Sequence, residues 1–219
     1  MTKIVIIGAG SLFGSRLSVD ILSRPHLRDA TIALCDIDAE RLGQVSRFVQ
    51  RVIDAHELPA VCISSTDRLE LLPDADFVIT SISVGGAAYW GEPYASEVNI
   101  PLKYGVDQIV ADTIGPGGVF RFLRTAPVQL QICKDMELFC PNALLLIYTN
   151  PMAMLTWLHS EGSTIQNVGL CHSVQHTSGQ LAKDHGVPAN DHHFLCAGNN
   201  HIAFYLKFER VGQDLYPLI

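Results

Sequence analysis

Six cysteines are scattered through the 219 residues, yet no two form a Cys-x-x-Cys pair. That removes the commonest structural zinc and dithiol redox arrangements. No apolar run approaches the ~20 residues that a membrane-crossing helix requires. A basic stripe is also missing: 15 Lys and Arg stand against 22 Asp and Glu, a net charge of −7, which argues against a nucleic-acid partner. The first ten residues lead into a strand and a glycine turn, with no basic, apolar and small-residue series of a secretory signal. Neither an internal repeat, a low-complexity tract nor a linker is found. Several thiols fall inside apolar patterns, as expected of reduced cysteines in a cytoplasm.

What is present is an alternation. Lys3 to Ile7 (KIVII), Thr31 to Cys35 (TIALC), Val61 to Ile63, Phe77 to Ile82 (FVITSI) and Ala143 to Tyr148 (ALLLIY) are short apolar runs rich in β-branched residues. Such runs are typical of parallel strands buried on both faces. Between them, Leu12 to Leu22 and Ala39 to His56 carry helical spacing. In the second, Leu42, Val45, Val49, Val52 and Ile53 share one face. Val119 to Phe139 also reads as a helix, with a kink expected at Pro127. Strand and helix in turn over about 150 residues imply an α/β fold, a doubly wound parallel sheet. After Pro151 the pattern shifts to shorter elements and His-rich turns, so residues 1–150 and 151–219 read as two regions.

The stretch IVIIGAGSLFGSRL puts Gly8 and Gly10 at a strand-to-helix turn, followed by Ser11. Gly8 permits the tight turn, and Gly10 lets a pyrophosphate approach the free N–H groups of the helix N-terminus. The third glycine of G-x-G-x-x-G is expected at residue 13, where Phe13 stands; Gly14 comes one residue later. Asp36 closes the second strand, 28 residues after Gly8. An acid there accepts both ribose hydroxyls and repels a 2′-phosphate, which favours NAD over NADP. The same residues are also compatible with a structural glycine turn and a helix-capping aspartate.

A second group lies near carboxyl ends of strands, where doubly wound sheets bind ligands. Asn150 follows ALLLIY, Cys171 follows the run NVGL, and His201 lies in AGNNHIAFYL. Thiolate plus imidazole holds a borderline divalent ion while leaving positions open for substrate. The 30-residue separation of Cys171 and His201 does not by itself establish that they meet.

These residues, together with VGG (Val84 to Gly86), DTIGPGG (Asp112 to Gly118), RTAPV (Arg124 to Val128), YTNPMAM (Tyr148 to Met154) and CHSVQ (Cys171 to Gln175), resemble the N-terminal half of glycoside hydrolase family 4. Cys-His-Ser-Val resembles the family's α-galactosidase branch. Branches acting on 6-phosphorylated sugars carry an arginine just before Val-Gly-Gly, where this chain has Ser83. The resemblance implies a fold like that of lactate and malate dehydrogenases, with 1–150 as the NAD-binding domain. Residues 151–219 would begin a second, α+β, substrate- and metal-binding domain that reads as truncated.

Further implications of the resemblance are Cys171 and His201 as ligands of a divalent metal, typically Mn2+, and His172 as the acid facing the glycosidic oxygen. Asn150 and Asp112 would contact sugar hydroxyls, and the protein would be a cytoplasmic homo-oligomer, a dimer or tetramer. The implied chemistry departs from the usual carboxylate pair of glycosidases. By this resemblance, bound NAD would take hydride from C3, the metal would acidify the C2 proton, the C1 leaving group would depart, water would add, and the hydride would return. The family's chains run to about twice this length, and its usual tyrosine base belongs to the other half. Two rivals remain: a 2-hydroxy-acid dehydrogenase of the lactate/malate type, and a non-catalytic NAD-binding protein.

Overall fold

Ile4 and Ile6 point to one face of their strand and Val5 and Ile7 to the other, and all four are buried. A strand that is apolar on both faces must sit inside a sheet covered twice, and the structure shows that arrangement. The computed structural model describes residues 1–86, 91–188 and 191–218. It divides into two units, Met1–Gly169 and Leu170–Ile219.

In the first unit the strands are β1 (Lys3–Ile7), β2 (Thr31–Cys35), β3 (Val61–Ser65), β4 (Phe77–Thr80), β5 (Leu144–Ile147) and β6 (Asn167–Gly169). The helices are α1 (Leu12–Leu22), α2 (Ala39–Ala55), α3 (Tyr94–Lys103), α4 (Gly115–Phe139) and α5 (Met152–Gly162). All six strands pair in parallel in the order β3-β2-β1-β4-β5-β6. On one face, Ile4, Ile6, Ile32, Leu34 and Ile79 pack with Leu22 of α1 and with Leu42, Val45, Val49 and Ile53 of α2. On the other, Val5, Ile7, Val78, Leu145 and Ile147 pack with Ile132, Cys133 and Met136 of α4 and Leu155 of α5. Each fully buried aliphatic side chain contributes roughly 1.5–3 kcal/mol. The doubly wound sheet expected from the sequence is therefore the observed one.

The strand order reverses between β1 and β4, and there the backbone segments that follow the two strands run close together. Gly8 has φ +92°, and a Cβ on it would lie 2.5 Å from the Ser81 carbonyl oxygen. Only glycine fits that position.

Two sequence expectations shift, and one helix appears that none covered. The helix expected from Val119 begins at Gly115, because Pro116 suits a helical first turn. Helix α3 was not legible at all. The expected boundary at residue 150 also moves: Pro151 is the N-cap of α5, and β6 pairs with β5 through Leu145↔Asn167 to Ile147↔Gly169. A proline at the start of a helix opens it rather than ending a domain, so the first unit extends to Gly169.

The second unit holds α6 (Ser173–Asp184) and an antiparallel sheet of β7 (His193–Asn199), β8 (Ile202–Arg210) and β9 (Gln213–Asp214). Ala182, Val187, Phe208 and Leu215 form its core. The Tyr205 hydroxyl donates to the Val174 carbonyl, tying β8 to the first turn of α6. The pairing Asn199↔Ile202 leaves Asn200 and His201 as the hairpin tip.

Candidate active site

Helix α1 starts immediately after the glycine turn. Ser11 caps it, its Oγ accepting from the Gly14 N–H at 3.3 Å. The third glycine role is filled by Gly14, whose added Cβ would meet the Ala9 carbonyl oxygen at 2.4 Å. Phe13 instead packs its ring against Tyr148, centroids 4.9 Å apart. The motif is shifted by one residue, but close helix–strand packing is preserved.

Asp36 sits against this turn. Its Oδ2 accepts from the Gly10 N–H at 2.7 Å and its Oδ1 from the Asp38 N–H at 2.9 Å. A Cβ on Gly10 would lie 2.8 Å from that carboxylate, so glycine is required here for the carboxylate to reach the backbone. Each oxygen retains further acceptor capacity, and the residue is half-buried. The glycine turn, the helix N-terminus that follows it and the acid fit a dinucleotide.

At the ends of β4 and β5 a polar cluster gathers. The Asn150 Nδ2 donates to Asp112 Oδ2 at 3.2 Å, and Thr113 Oγ1 donates to Asp112 Oδ1 at 2.9 Å. The two predicted sugar-contacting residues are thus hydrogen-bonded partners. Arg121 joins them, its Nε donating to the Asn150 carbonyl at 3.3 Å.

In the second unit the chain brings Cys171 and His201 together. Cys171 Sγ lies 3.5 Å from His201 Nε2, 3.2 Å from Ser173 Oγ and 3.4 Å from the Ser173 N–H. Burial is the largest single influence on the thiol and raises its pKa. Hydrogen bonds from the Ser173 hydroxyl and N–H, the Asn200 side chain and the His172 N–H together outweigh it. The net result is a thiol below its ordinary range, favouring the thiolate that binds metals. His201 holds φ +63°, and its Nδ1 is buried with no partner among the described residues. Among the described residues no group of three or more His, Cys, Asp or Glu surrounds a metal position. The donor set is one sulfur and one nitrogen, which suits a borderline ion whose remaining positions stay open. His172 is exposed at the N-cap of α6 and makes no side-chain cap bond.

A different Cys–His pair shows what a structural one looks like. Cys133 Sγ lies 2.8 Å from His159 Nδ1 in the core. Burial pushes the thiol up to about 11 and the imidazole down to about 4, so both stay neutral and inert.

Sequence reasoning missed Arg121, Ser173 and Asn200. Gly117, Arg121, Thr125, Gln129 and Cys133 are all buried on α4, but the row is mostly polar in sequence and its burial shows only in the fold. Ser173 and Asn200 likewise carried no signal.

The fold and these donors define a class: a nucleotide-binding type of α/β domain, continued by a unit able to present thiolate and imidazole to a metal. The sequence profile of the family 4 glycosyl hydrolases matches residues 3–187, and the chain belongs to that family. It is 43% identical over 218 residues to the α-galactosidase of Rhizobium meliloti (strain 1021), covering 97% of this chain and 44% of that protein. With the α-galactosidase of Bacillus subtilis (strain 168) the identity is 42% over 221 residues, covering 100% and 50%. The 6-phospho-β-glucosidase of Thermotoga maritima, solved with manganese, NAD+ and glucose-6-phosphate, superposes with a TM-score of 0.83 at 24% identity. That match covers 98% of this chain and 50% of the other and shows the shared fold. The chain spans about half the length of the curated relatives it matches. Among the described residues no helix is long and apolar enough to cross a membrane.

Proposed function

We propose that this chain is the NAD-binding and metal-ligating half of a family 4 glycosidase acting on unphosphorylated α-glycosides, α-galactosides foremost. The observation that carries the reading is the approach of Cys171 to His201, 3.5 Å across 30 residues of sequence. The α-galactosidase relatives at 43% and 42% identity support the substrate class. So does Ser83: its Oγ accepts from Arg121 Nη2 at 3.2 Å and donates to the Gly86 carbonyl at 2.7 Å. The position is committed to the loop, and the guanidinium beside it is buried, at 5% exposure.

Asp36 would take the adenosine ribose of NAD, with Gly8, Gly10 and Ser11 forming the turn under the pyrophosphate. Cys171 and His201 would hold Mn2+ or a similar divalent ion. When bound, these groups supply a hydride acceptor for C3 and a Lewis acid for the carbonyl that results. The chain's own residues do the rest of the positioning. Asn150 and Asp112 offer an amide and a carboxylate to sugar hydroxyls, and His172 offers a proton to the glycosidic oxygen. The hydroxyls of Tyr205 and Tyr216 are both given to backbone carbonyls, so the base is assigned to neither. Six free cysteines and a thiolate ligand favour a reducing cytoplasm. We also carry the expectation of a homo-oligomer, a dimer or tetramer, from the family.

The test uses a protein in which this chain is joined to the remaining half found in its relatives. It should cleave 4-nitrophenyl α-galactoside only with NAD, manganese and a thiol reductant present. In D2O the product should carry deuterium at C2, since that proton is lost and regained. Hydrolysis without NAD, or an unlabelled C2, refutes the proposal. Faster turnover of an α-glucoside or α-uronide would correct the sugar alone.

A further inference from the structure

Pairing between β4 and β5 ends at Thr80↔Ile147, but the loops beyond it do not part. The Tyr148 N–H still reaches the Thr80 carbonyl at 2.9 Å. One step further the backbone ladder is replaced by a side chain, the Ile82 N–H donating to Thr149 Oγ1 at 3.0 Å. Thr149 is buried at 3% exposure. The next step outward has no backbone link, and Arg121 fills it from α4. Its Nε donates to the Asn150 carbonyl at 3.3 Å and its Nη2 to Ser83 Oγ at 3.2 Å. Ser83 passes the connection on to the Gly86 carbonyl at 2.7 Å.

We infer that Arg121 is a positioning residue: its buried guanidinium joins the loop after β4 to the loop after β5 and so aims the Asn150 amide. This rests on the proposed role of Asn150 at the sugar. The Asn150 backbone is held by Arg121 and its side chain by Asp112 at 3.2 Å, so the residue is fixed at both ends. What remains free for a ligand is Oδ1 and one Nδ2 hydrogen, in a set direction. The planar fork of arginine suits this task, because two acceptors on different loops are met by two nitrogens of one rigid group. Lysine offers a single mobile nitrogen and reaches one loop or the other. Helix α4 is the third body of the arrangement. Gly117 and Gly118 stand one turn before Arg121 with no room for a Cβ, the nearest atoms being 2.5 Å and 2.6 Å away. That close packing seats the first turn of α4 against residues 111–113 and thereby registers Arg121 with Asp112 as well as with both loops.

The experiment uses the 15N-labelled 219-residue chain, with the Asn150 side-chain resonances identified by Asn150→Asp. Arg121→Gln should shift both Asn150 NH2 signals and the backbone amides of residues 83–86. In the NAD-loaded chain it should weaken binding of methyl α-D-galactoside about tenfold or more, leaving NAD affinity within about twofold. Arg121→Lys should recover part of the loss. Where Arg121→Gln does not fold, Ser83→Ala, which removes one arm of the bridge, should shift the same NH2 signals. Asn150 signals that stay in place in the folded variants overturn the inference. Galactoside affinity that is unchanged in Arg121→Gln but lost in Asn150→Ala does so too. If the wild-type chain binds no galactoside while the NH2 signals move as expected, Arg121 is confirmed as the positioning residue. The sugar reading of Asn150 is then what fails.

Discussion

Replacing Asp36 by alanine tests the cofactor reading at its anchor. The carboxylate accepts from the Gly10 N–H at 2.7 Å and the Asp38 N–H at 2.9 Å, and by proposal from the ribose hydroxyls. A hydrogen bond to a charged group is worth about 1.5–3 kcal/mol, and each ~1.4 kcal/mol is tenfold in affinity. Asp36→Ala should therefore weaken NAD by roughly ten- to a hundred-fold on the ribose contact alone. The loss should be larger still where the freed Gly10 turn loosens. Asp36→Asn separates the two effects, because it keeps the shape but turns an amide towards one of the N–H groups. With the negative charge gone, a 2′-phosphate is no longer repelled, so NADP should gain on NAD in that variant. Calorimetry with NAD, NADP, ADP-ribose and nicotinamide mononucleotide reads all of this. ADP-ribose, which keeps the adenosine ribose, should lose as much as NAD in Asp36→Ala, and the mononucleotide should lose little. NAD affinity within about twofold of wild type, or an equal loss for the mononucleotide, refutes the assignment.

Cys171→Ser should abolish manganese binding, followed by electron paramagnetic resonance, with the circular dichroism spectrum unchanged; retained affinity would place the metal elsewhere. His159 should make the first unit acid-sensitive. Unfolded, it binds a proton near 6.5, and folded only near 4. Stability is then present above 6.5 and is lost as pH falls towards 4, by about 3 kcal/mol in all. Urea melts from pH 7 to pH 4 should show this fall in the wild type and a flatter course in His159→Gln; parallel courses would refute it. Gly14→Ala should cost roughly 1–3 kcal/mol in the same melts, since its Cβ meets backbone and cannot be accommodated by a rotamer change. Wild-type stability in Gly14→Ala would show that the turn relaxes.

The four inner strands, β1, β2, β4 and β5, were legible because they are short, β-branched, apolar on both faces and bounded by turn residues. Helix α1 was legible to the residue because Ser11 opens it and Arg24-Pro25 follows it. Helix α3 was not. Its sequence YASEVNIPLK contains Pro101, and Ile100 and Leu102 are half exposed, so no apolar stripe marks it. Strand β6 has only three residues, with Val168 exposed at 38%, and owes its place to pairing with β5. Among candidate site residues, Asp36 could be found because strand end and charge coincide. The meeting of Cys171 with His201 could be expected only from the family, because a hairpin tip brings them together and sequence spacing carries no trace of it. Arg121 was passed over because a lone arginine on a helix is usually solvated.

The backbone at His201 also limits what evolution or a designer can place there. With φ +63°, the position admits Gly, Asn, Asp and His far more readily than any other residue. Within that short menu only aspartate and histidine carry side chains that commonly ligate metals. Under the proposed metal role of His201, mutational drift at this hairpin tip therefore favours two outcomes, loss of the donor or exchange of imidazole for carboxylate. The second would pair an oxygen with the Cys171 sulfur and move the pair towards harder ions. A thiolate or thioether at this position would carry the left-handed backbone at a cost of about 1–2 kcal/mol.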